Sequence, residues 1–260
     1  MADWNPESYA RFGDLRLRPA LDLLGRVGAL PEGAVVDLGC GSGAVGPALR
    51  ARFSEAPVCG VDASPAMLEK ARAAGVYDQL TEADLSGWQP EAAVALIFSN
   101  AALHWAPSHD QLLPRLAGFL VPGGTLAVQM PRQSGAPSHR FLREFAADMF
   151  PDRFDAATGQ SPVFSPVEYH RLLAPFGHVA VWETDYVQRL EPSADGHPVR
   201  RFTEATAMRP FVAKLDASET RSFAARYDAA LAAAYPVEPD GAVLFPFRRL
   251  FMTLTVTQKG

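Results

Sequence analysis

The sequence predicts a doubly wound α/β fold, and three observations carry that expectation. Short, largely apolar segments recur along the first half: Ala34–Leu38, Pro57–Asp62, Val94–Phe98 and Thr125–Met130. Segments with helical spacing of apolar residues alternate with them. A glycine-rich turn, Gly39-Cys40-Gly41-Ser42-Gly43, follows the first apolar segment directly. Strands without a polar face belong in parallel sheets covered on both sides, and the helices between them supply the cover.

Each element has a local reason. Leu17, Leu21, Leu24 and Val27 form one stripe of a helix over residues 16–27, with Gly28 as its stop. A helix runs from the glycine turn through Leu49 to Phe53. Ser64-Pro65 reads as a helix start, with a hydroxyl cap and a proline that needs no amide partner. Met67, Leu68 and Ala71 continue that helix to Gly75. Residues 109–120 give another helix, Val121-Pro122-Gly123-Gly124 a turn, and residues 125–130 a strand.

Beyond Pro131 the texture changes. Residues 132–165 are rich in Pro, Ser, Gly and Arg, with one amphipathic stretch from Phe141 to Phe150. A helix near 166–175, a strand near 178–187, helical material over 195–234 and a last strand at 247–257 complete the reading. The last strand alternates apolar and polar residues, the mark of a sheet edge or an antiparallel partner. The expected division is one domain over residues 1–260. Its core is 16–131 with 166–190 and 245–258; its helical lid is 1–15, 132–165 and 195–235.

Composition narrows the function. The chain has 260 residues, 48% apolar and 20% charged, which excludes a disordered or fibrous chain. A net charge of −5 repels phosphate backbones and speaks against nucleic-acid binding. No apolar run approaches the roughly 20 residues of a membrane span, and the first residues lack a signal-peptide pattern. Cys40 and Cys59 make no disulfide framework, so a cytoplasmic location is expected. No obligate protein partner is evident. His104, His109, His139, His170, His178 and His197 show no metal-ligand spacing, and no metal is expected.

The glycine turn is the first candidate site. Glycine permits positive φ and close backbone approach, and the helix behind the turn is expected to offer free amides. Read from Gly41, the spacing Gly41-x-Gly43-x-x-Gly46 also fits a dinucleotide fingerprint, so a nicotinamide cofactor is one alternative. Asp62 ends the second strand, 21 residues after Gly41, where a carboxylate can accept both ribose hydroxyls. Asp84 falls where the third strand ends, beside the place of an adenine ring.

Four motifs occur in order: Asp37-Leu-Gly-Cys-Gly-Ser-Gly, Gly60-Val-Asp-Ala-Ser-Pro-Ala-Met, Ala83-Asp-Leu and Leu120-Val-Pro-Gly-Gly-Thr-Leu. Together they resemble the class I S-adenosylmethionine-dependent methyltransferases. Asp37 ahead of the glycines separates the pattern from the usual dehydrogenase fingerprint. The resemblance goes further. Asp3-Trp-Asn-Pro with Tyr9 and Phe12, Ile97-Phe-x-Asn100-Ala-x-Leu-x-Trp105, Leu126–Pro131, Thr206-Ala-Met-Arg209-Pro-Phe and Arg249-Leu-Phe are similar to the trans-aconitate methyltransferases. Residues 133–165 carry no anchoring motif.

The resemblance implies a mostly parallel, seven-stranded Rossmann-like sheet with an α-helical lid. It implies S-adenosylmethionine as cofactor, S-adenosylhomocysteine as product and a small polycarboxylic acid as acceptor. Gly39 and Gly41 would line the methionine and ribose part, and Asp62 would hold the ribose. Ala63 and Met67 would flank adenine, with Asp84 and Leu85 at its edge. Asp37 belongs to the same cofactor motif, and Asn100 would lie near the sulfonium. Arg18 either reaches the cofactor carboxylate or caps the sheet. Arg209 and Arg249 would grip acceptor carboxylates. His104 would position the acceptor, or act as a base toward a hydroxyl. Trp105 would shape the pocket, and Trp4 and Tyr9 would either close the N-terminal arm over the cofactor or pack that arm as aromatic anchors. Other small acids, hydroxyl acceptors, a nicotinamide-dependent oxidoreductase and a non-catalytic binder of the cofactor are the alternatives.

Overall fold

The structure is a computed structural model and describes residues 13–155, 158–159 and 162–257. Its described residues divide into two compact units. The sheet unit takes Asp14–Pro131, Pro162–Thr184 and the chain from Arg249 onward. The helical unit takes the described residues within Arg132–Ser161 and Asp185–Arg248.

In the sheet unit, α1 (Gly13–Leu24) precedes β1 (Val35–Leu38), α2 (Gly46–Arg52), β2 (Val58–Asp62), α3 (Pro65–Ala73) and β3 (Gln79–Glu82). β4 (Val94–Asn100), a 3₁₀ turn (Leu103–Trp105), α4 (His109–Ala117), β5 (Leu120–Pro131) and α6 (Pro166–Leu173) follow, with α5 (Pro137–Met149) lying between the last two in the chain. β6 (Gly177–Leu190) and β7 (Val243–Val256) each have residues in both units. The strand order is β3-β2-β1-β4-β5-β7-β6. β1 to β5 pair in parallel, and β7 pairs antiparallel with β5. The order reverses between β1 and β4, which makes that junction the topological switch point of the sheet. The seven-stranded, mostly parallel sheet is the expected one.

Two details differ from expectation for physical reasons. Val121–Gly124 does not precede β5 but sits inside it. Val94 pairs with Leu120 and Leu96 with Thr125, so four residues face Ala95 alone and the turn becomes a bulge. The last strand begins earlier, at Val243. Its alternation is clean over Val243–Arg248, but Arg249, Leu250, Phe251 and Met252 are all buried. That part of β7 lies inside the sheet beside β5, with cover on both faces.

The core of the sheet unit packs Val36, Leu38, Ile97, Leu126, Val128 and Met130 against Leu112, Leu113 and Leu116 of α4 and Tyr169 and Leu173 of α6. The helical unit has its own core, which is aromatic. Phe202, Phe211, Phe223, Tyr227, Phe245 and Phe247 come from α7 (Pro198–Glu204), α8 (Arg209–Val212), α9 (Ala217–Ala234) and β7. Asp216 caps α9 in a reciprocal box with Glu219, which fixes where this long helix begins. Tyr227 donates to the Ser138 carbonyl at 2.5 Å and joins α9 to α5. Among the described residues no helix is long and apolar enough to cross a membrane.

Candidate active site

The loop after β1 is built by glycine and held by aspartate. Gly39 has φ +80° and Gly41 φ +55°, the left-handed region that other residues enter at a cost. A Cβ on Gly39 would stand 2.2 Å from the Ala102 Cβ, so the loop packs directly on the turn that follows β4. A Cβ on Gly41 would meet nothing within 4 Å. The first glycine is therefore demanded by protein packing. The second borders open space where a ligand can approach the backbone.

Asp62, at the end of β2, braces this loop. Its Oδ2 accepts from the Gly41 amide at 2.9 Å and its Oδ1 from the Ser64 amide at 2.9 Å. Each carboxylate oxygen keeps a lone pair for a further donor. Ser64 then caps α3 by accepting from the Met67 amide at 3.4 Å. The expected free amides of the following helix are not what the loop offers. The amides of Gly39, Cys40, Gly43 and Gly46 bond to carbonyls within the loop and β2. α2 begins only at Gly46, with Pro47 in its first turn.

Asp37 lies beneath the loop, 1% exposed, and accepts a 2.6 Å hydrogen bond from the Tyr77 hydroxyl. Burial pushes its carboxyl up to about 7, against the Tyr77 hydrogen bond and with help from the Asp62 charge. Burial also pushes the Cys40 thiol far up, so Cys40 is an inert loop residue and no nucleophile. Asp84 is exposed and closes its own turn, accepting from the Ser86 amide at 2.8 Å. Leu85 reaches the Gly39 position, with its Cδ1 3.8 Å from where a Cβ would stand. Ala63 is exposed and Met67 half-buried at the start of α3.

The second edge follows β4. Asn100 is its last residue, and Ala101 turns the chain with φ 53°. Such strain in a residue with a side chain persists only where the surroundings dictate it. Here the Ala101 amide donates to the Gln129 carbonyl at 2.9 Å, and Ala102 packs on Gly39. The 3₁₀ turn then carries His104 and Trp105, whose rings lie 4.6 Å apart. Trp105 is 63% exposed. His109 anchors this turn: its Nε2 bonds to the Leu103 carbonyl at 2.9 Å and its Nδ1 to the Tyr169 hydroxyl at 2.5 Å. Burial lowers the His109 pKa, and the neutral ring serves this structural network.

The structure thus brings Asp37, Gly39, Gly41, Asp62, Leu85 and Asn100 around one junction of the sheet unit. Arg249 is buried on β7 opposite Pro131 in the same unit. Arg209 opens α8 in the helical unit, and Arg18 is exposed on α1. Trp4 and Tyr9 lie outside the described residues. Two groups carry no role in the sequence reading. Tyr77 is 40 residues from the aspartate it bonds, and no local pattern links them. Gln129 is hidden in an otherwise apolar strand, where its polarity is the one signal.

Comparison with known proteins decides the family. A family model described as a methyltransferase domain matches residues 35–124, from β1 into the β5 bulge. The trans-aconitate 2-methyltransferase of Methylobacterium radiotolerans is 44% identical, covering 97% of this chain and 98% of that one.

The chain belongs to the trans-aconitate 2-methyltransferase family.

The member from Paracidovorax citrulli is 41% identical over 97% of this chain and 98% of its own. Matches of that extent take in residues 133–165, where the sequence shows no motif of this family. Among solved structures, phosphoethanolamine N-methyltransferase 2 of Haemonchus contortus in complex with S-adenosyl-L-methionine has a TM-score of 0.54. It is 18% identical and covers 93% of this chain and 53% of that one, a likeness of fold. The fold shared with that protein is the class I methyltransferase fold expected for the trans-aconitate 2-methyltransferase family.

Proposed function

We infer that this chain transfers a methyl group from S-adenosylmethionine to a carboxylate of trans-aconitate, releasing a monomethyl ester and S-adenosylhomocysteine. The observation that carries the reading is identity of 44% with a trans-aconitate 2-methyltransferase along nearly the whole of both chains. The cofactor loop fits the group: Gly41 leaves room for close approach, and Asp62 keeps acceptor capacity at the loop's edge.

When bound, the cofactor supplies an electrophilic methyl on a positively charged sulfur. The acceptor carboxylate, with an ordinary pKa near 4, is ionised at pH 7 and needs no base. Held by Gly39, Gly41 and Asp62, the cofactor would supply that methyl to a carboxylate oxygen of the acid and would keep the methyl–sulfur electron pair. An anion and a cation neutralise each other in this step, so water slows it by hydrating both. The protein's contributions are alignment and exclusion of water.

We propose the following roles. Gly39, Gly41 and Asp62 hold the methionine and ribose part, with Asp37 beneath them. Ala63, Met67, Asp84 and Leu85 meet the adenine, and Arg18 the cofactor carboxylate. Asn100 stands at the reacting end. His104 and Trp105 shape the acceptor side, with Trp4 and Tyr9 closing over it, and Arg209 and Arg249 take acceptor carboxylates. The free cysteines and the acidic surface support a cytoplasmic location, with small molecules as partners in place of nucleic acid.

The test is methyl transfer from labelled S-adenosylmethionine to trans-aconitate, with cis-aconitate, citrate and isocitrate alongside. Base-labile label from trans-aconitate is the expected result. Cofactor binding without transfer to any of these acids would refute the substrate.

A further inference from the structure

We propose that Gln129 binds the acceptor, its side-chain amide donating a hydrogen bond to a carboxylate of the polycarboxylic acid. The proposal rests on the substrate reading above and extends it to a residue that the family motifs do not mark as functional.

Three observations lead there, all within the sheet unit. First, Gln129 is 0% exposed, and neither its Oε1 nor its Nε2 has a hydrogen-bond partner among the described residues. The Oδ1 of Asn100 is buried in the same state. An amide left unpaired in a protein interior is costly, and an apolar residue of the same size would remove that cost. The neighbours Ala127, Val128 and Met130 show what this strand otherwise carries.

Second, register places these groups together. Asn100 pairs with Gln129 across the parallel strands β4 and β5, and Phe251 pairs with Gln129 across β7. Residues directly opposite in a sheet share a face, as do residues two apart along a strand. Asn100, Gln129 and Arg249, which pairs with Pro131, therefore share one face near the carboxyl ends of β4 and β5.

Third, the position is the acceptor's by topology. Ligands of open α/β sheets sit at the carboxyl ends of strands beside the switch point. The glycine loop and Asp62 occupy the β1–β2 side of that point. Asn100 and Gln129 occupy the β4–β5 side.

The chemistry suits a nucleophilic carboxylate. A neutral amide orients the anion without neutralising it, whereas an arginine on the reacting oxygen would withdraw its charge. The amide also offers one donor edge and one acceptor edge. Oε1 repels a second carboxylate, so Nε2 selects a single carboxyl group and fixes the acid's orientation.

Gln129→Met keeps the volume and removes both polar atoms. Three quantities are measured on this variant and the wild type: the steady-state KM for trans-aconitate, calorimetric affinity for S-adenosylhomocysteine, and Tm. The expected outcome is a KM raised at least about ten-fold, an unchanged product affinity and a Tm equal to or above the wild type. Gln129→Glu, which faces the acid with a like charge, is expected to raise KM further. A folded Gln129→Met protein with unchanged KM would overturn the proposal, and so would a parallel loss of S-adenosylhomocysteine affinity. Wild-type protein that methylates no polycarboxylate would overturn the substrate reading and this proposal together. Wild-type turnover with an indifferent variant would overturn this proposal alone.

Discussion

The carboxylates on one side of the sheet's switch point and the amides on the other are treated differently. On the β1–β2 side the protein satisfies itself: Asp62 takes the Gly41 and Ser64 amides, and Asp37 takes the Tyr77 hydroxyl. On the β4–β5 side, Asn100 Oδ1 and both polar atoms of Gln129 have no partner among the described residues. The first arrangement holds a loop in one shape before anything binds. The second leaves hydrogen-bonding capacity for what arrives. On the roles proposed above, a shape that fits one cofactor is built in advance, while recognition of an acid leaves its partners open until binding.

The comparison can be broken most forcefully at Gly39. Gly39→Ala puts a methyl group 2.2 Å from the Ala102 Cβ at φ +80°. Strain and overpacking together cost about 2–5 kcal/mol, because the loop and the turn after β4 cannot both stay in place. A large fall in Tm with loss of cofactor binding is expected. A stable variant that binds normally would show that the two sides are not interlocked.

Next comes the Asp37 carboxyl, held up to about 7 by burial. Its folded pKa lies above its unfolded one, so its neutral form stabilises the protein fully below about pH 4. That contribution is lost as pH rises through 7. Wild-type Tm is therefore expected to decline from pH 5 to pH 8 through this group. Asp37→Asn, which can still accept from Tyr77, should flatten the decline and be the more stable protein at pH 8. Equal slopes in the two proteins would locate the pH dependence elsewhere.

Asp62→Ala sharpens the comparison. It strips a partner from two amides and, on the proposed role, from the ribose, and about 1–3 kcal/mol of cofactor affinity should be lost. The KM for the acid, measured at saturating cofactor, should stay near its wild-type value. Calorimetry that finds undiminished affinity would remove Asp62 from the cofactor site.

The smallest effect is expected at His104. Toward an ionised carboxylate it has no proton to remove, so His104→Ala should lower kcat by less than the ~100-fold of a lost general base. A larger loss with binding intact would point to a hydroxyl acceptor.

The cofactor side was legible in the sequence because its devices are local. A strand, glycines at fixed spacing, an acid at the end of the next strand and a Ser-Pro helix start all lie within 30 residues of one another. The Asp37–Tyr77 bond was not legible, because only the packing of the chain after α3 against the loop unites residues 40 apart. In the sequence, the bulge at Val121–Gly124 has the composition of a turn for a related reason. Its residues do turn, but Leu120 before them already pairs with Val94. Gln129 stayed inside a strand assignment, since apolar neighbours on both sides mark it as core.

The division of labour between the two sides is tested most directly by one calorimetric comparison. S-adenosylhomocysteine is titrated into wild type, Asp62→Ala and Gln129→Met. The account predicts weakened binding in Asp62→Ala and wild-type binding in Gln129→Met. Equal weakening in both variants would contradict it, because cofactor and acceptor would then share the whole switch point.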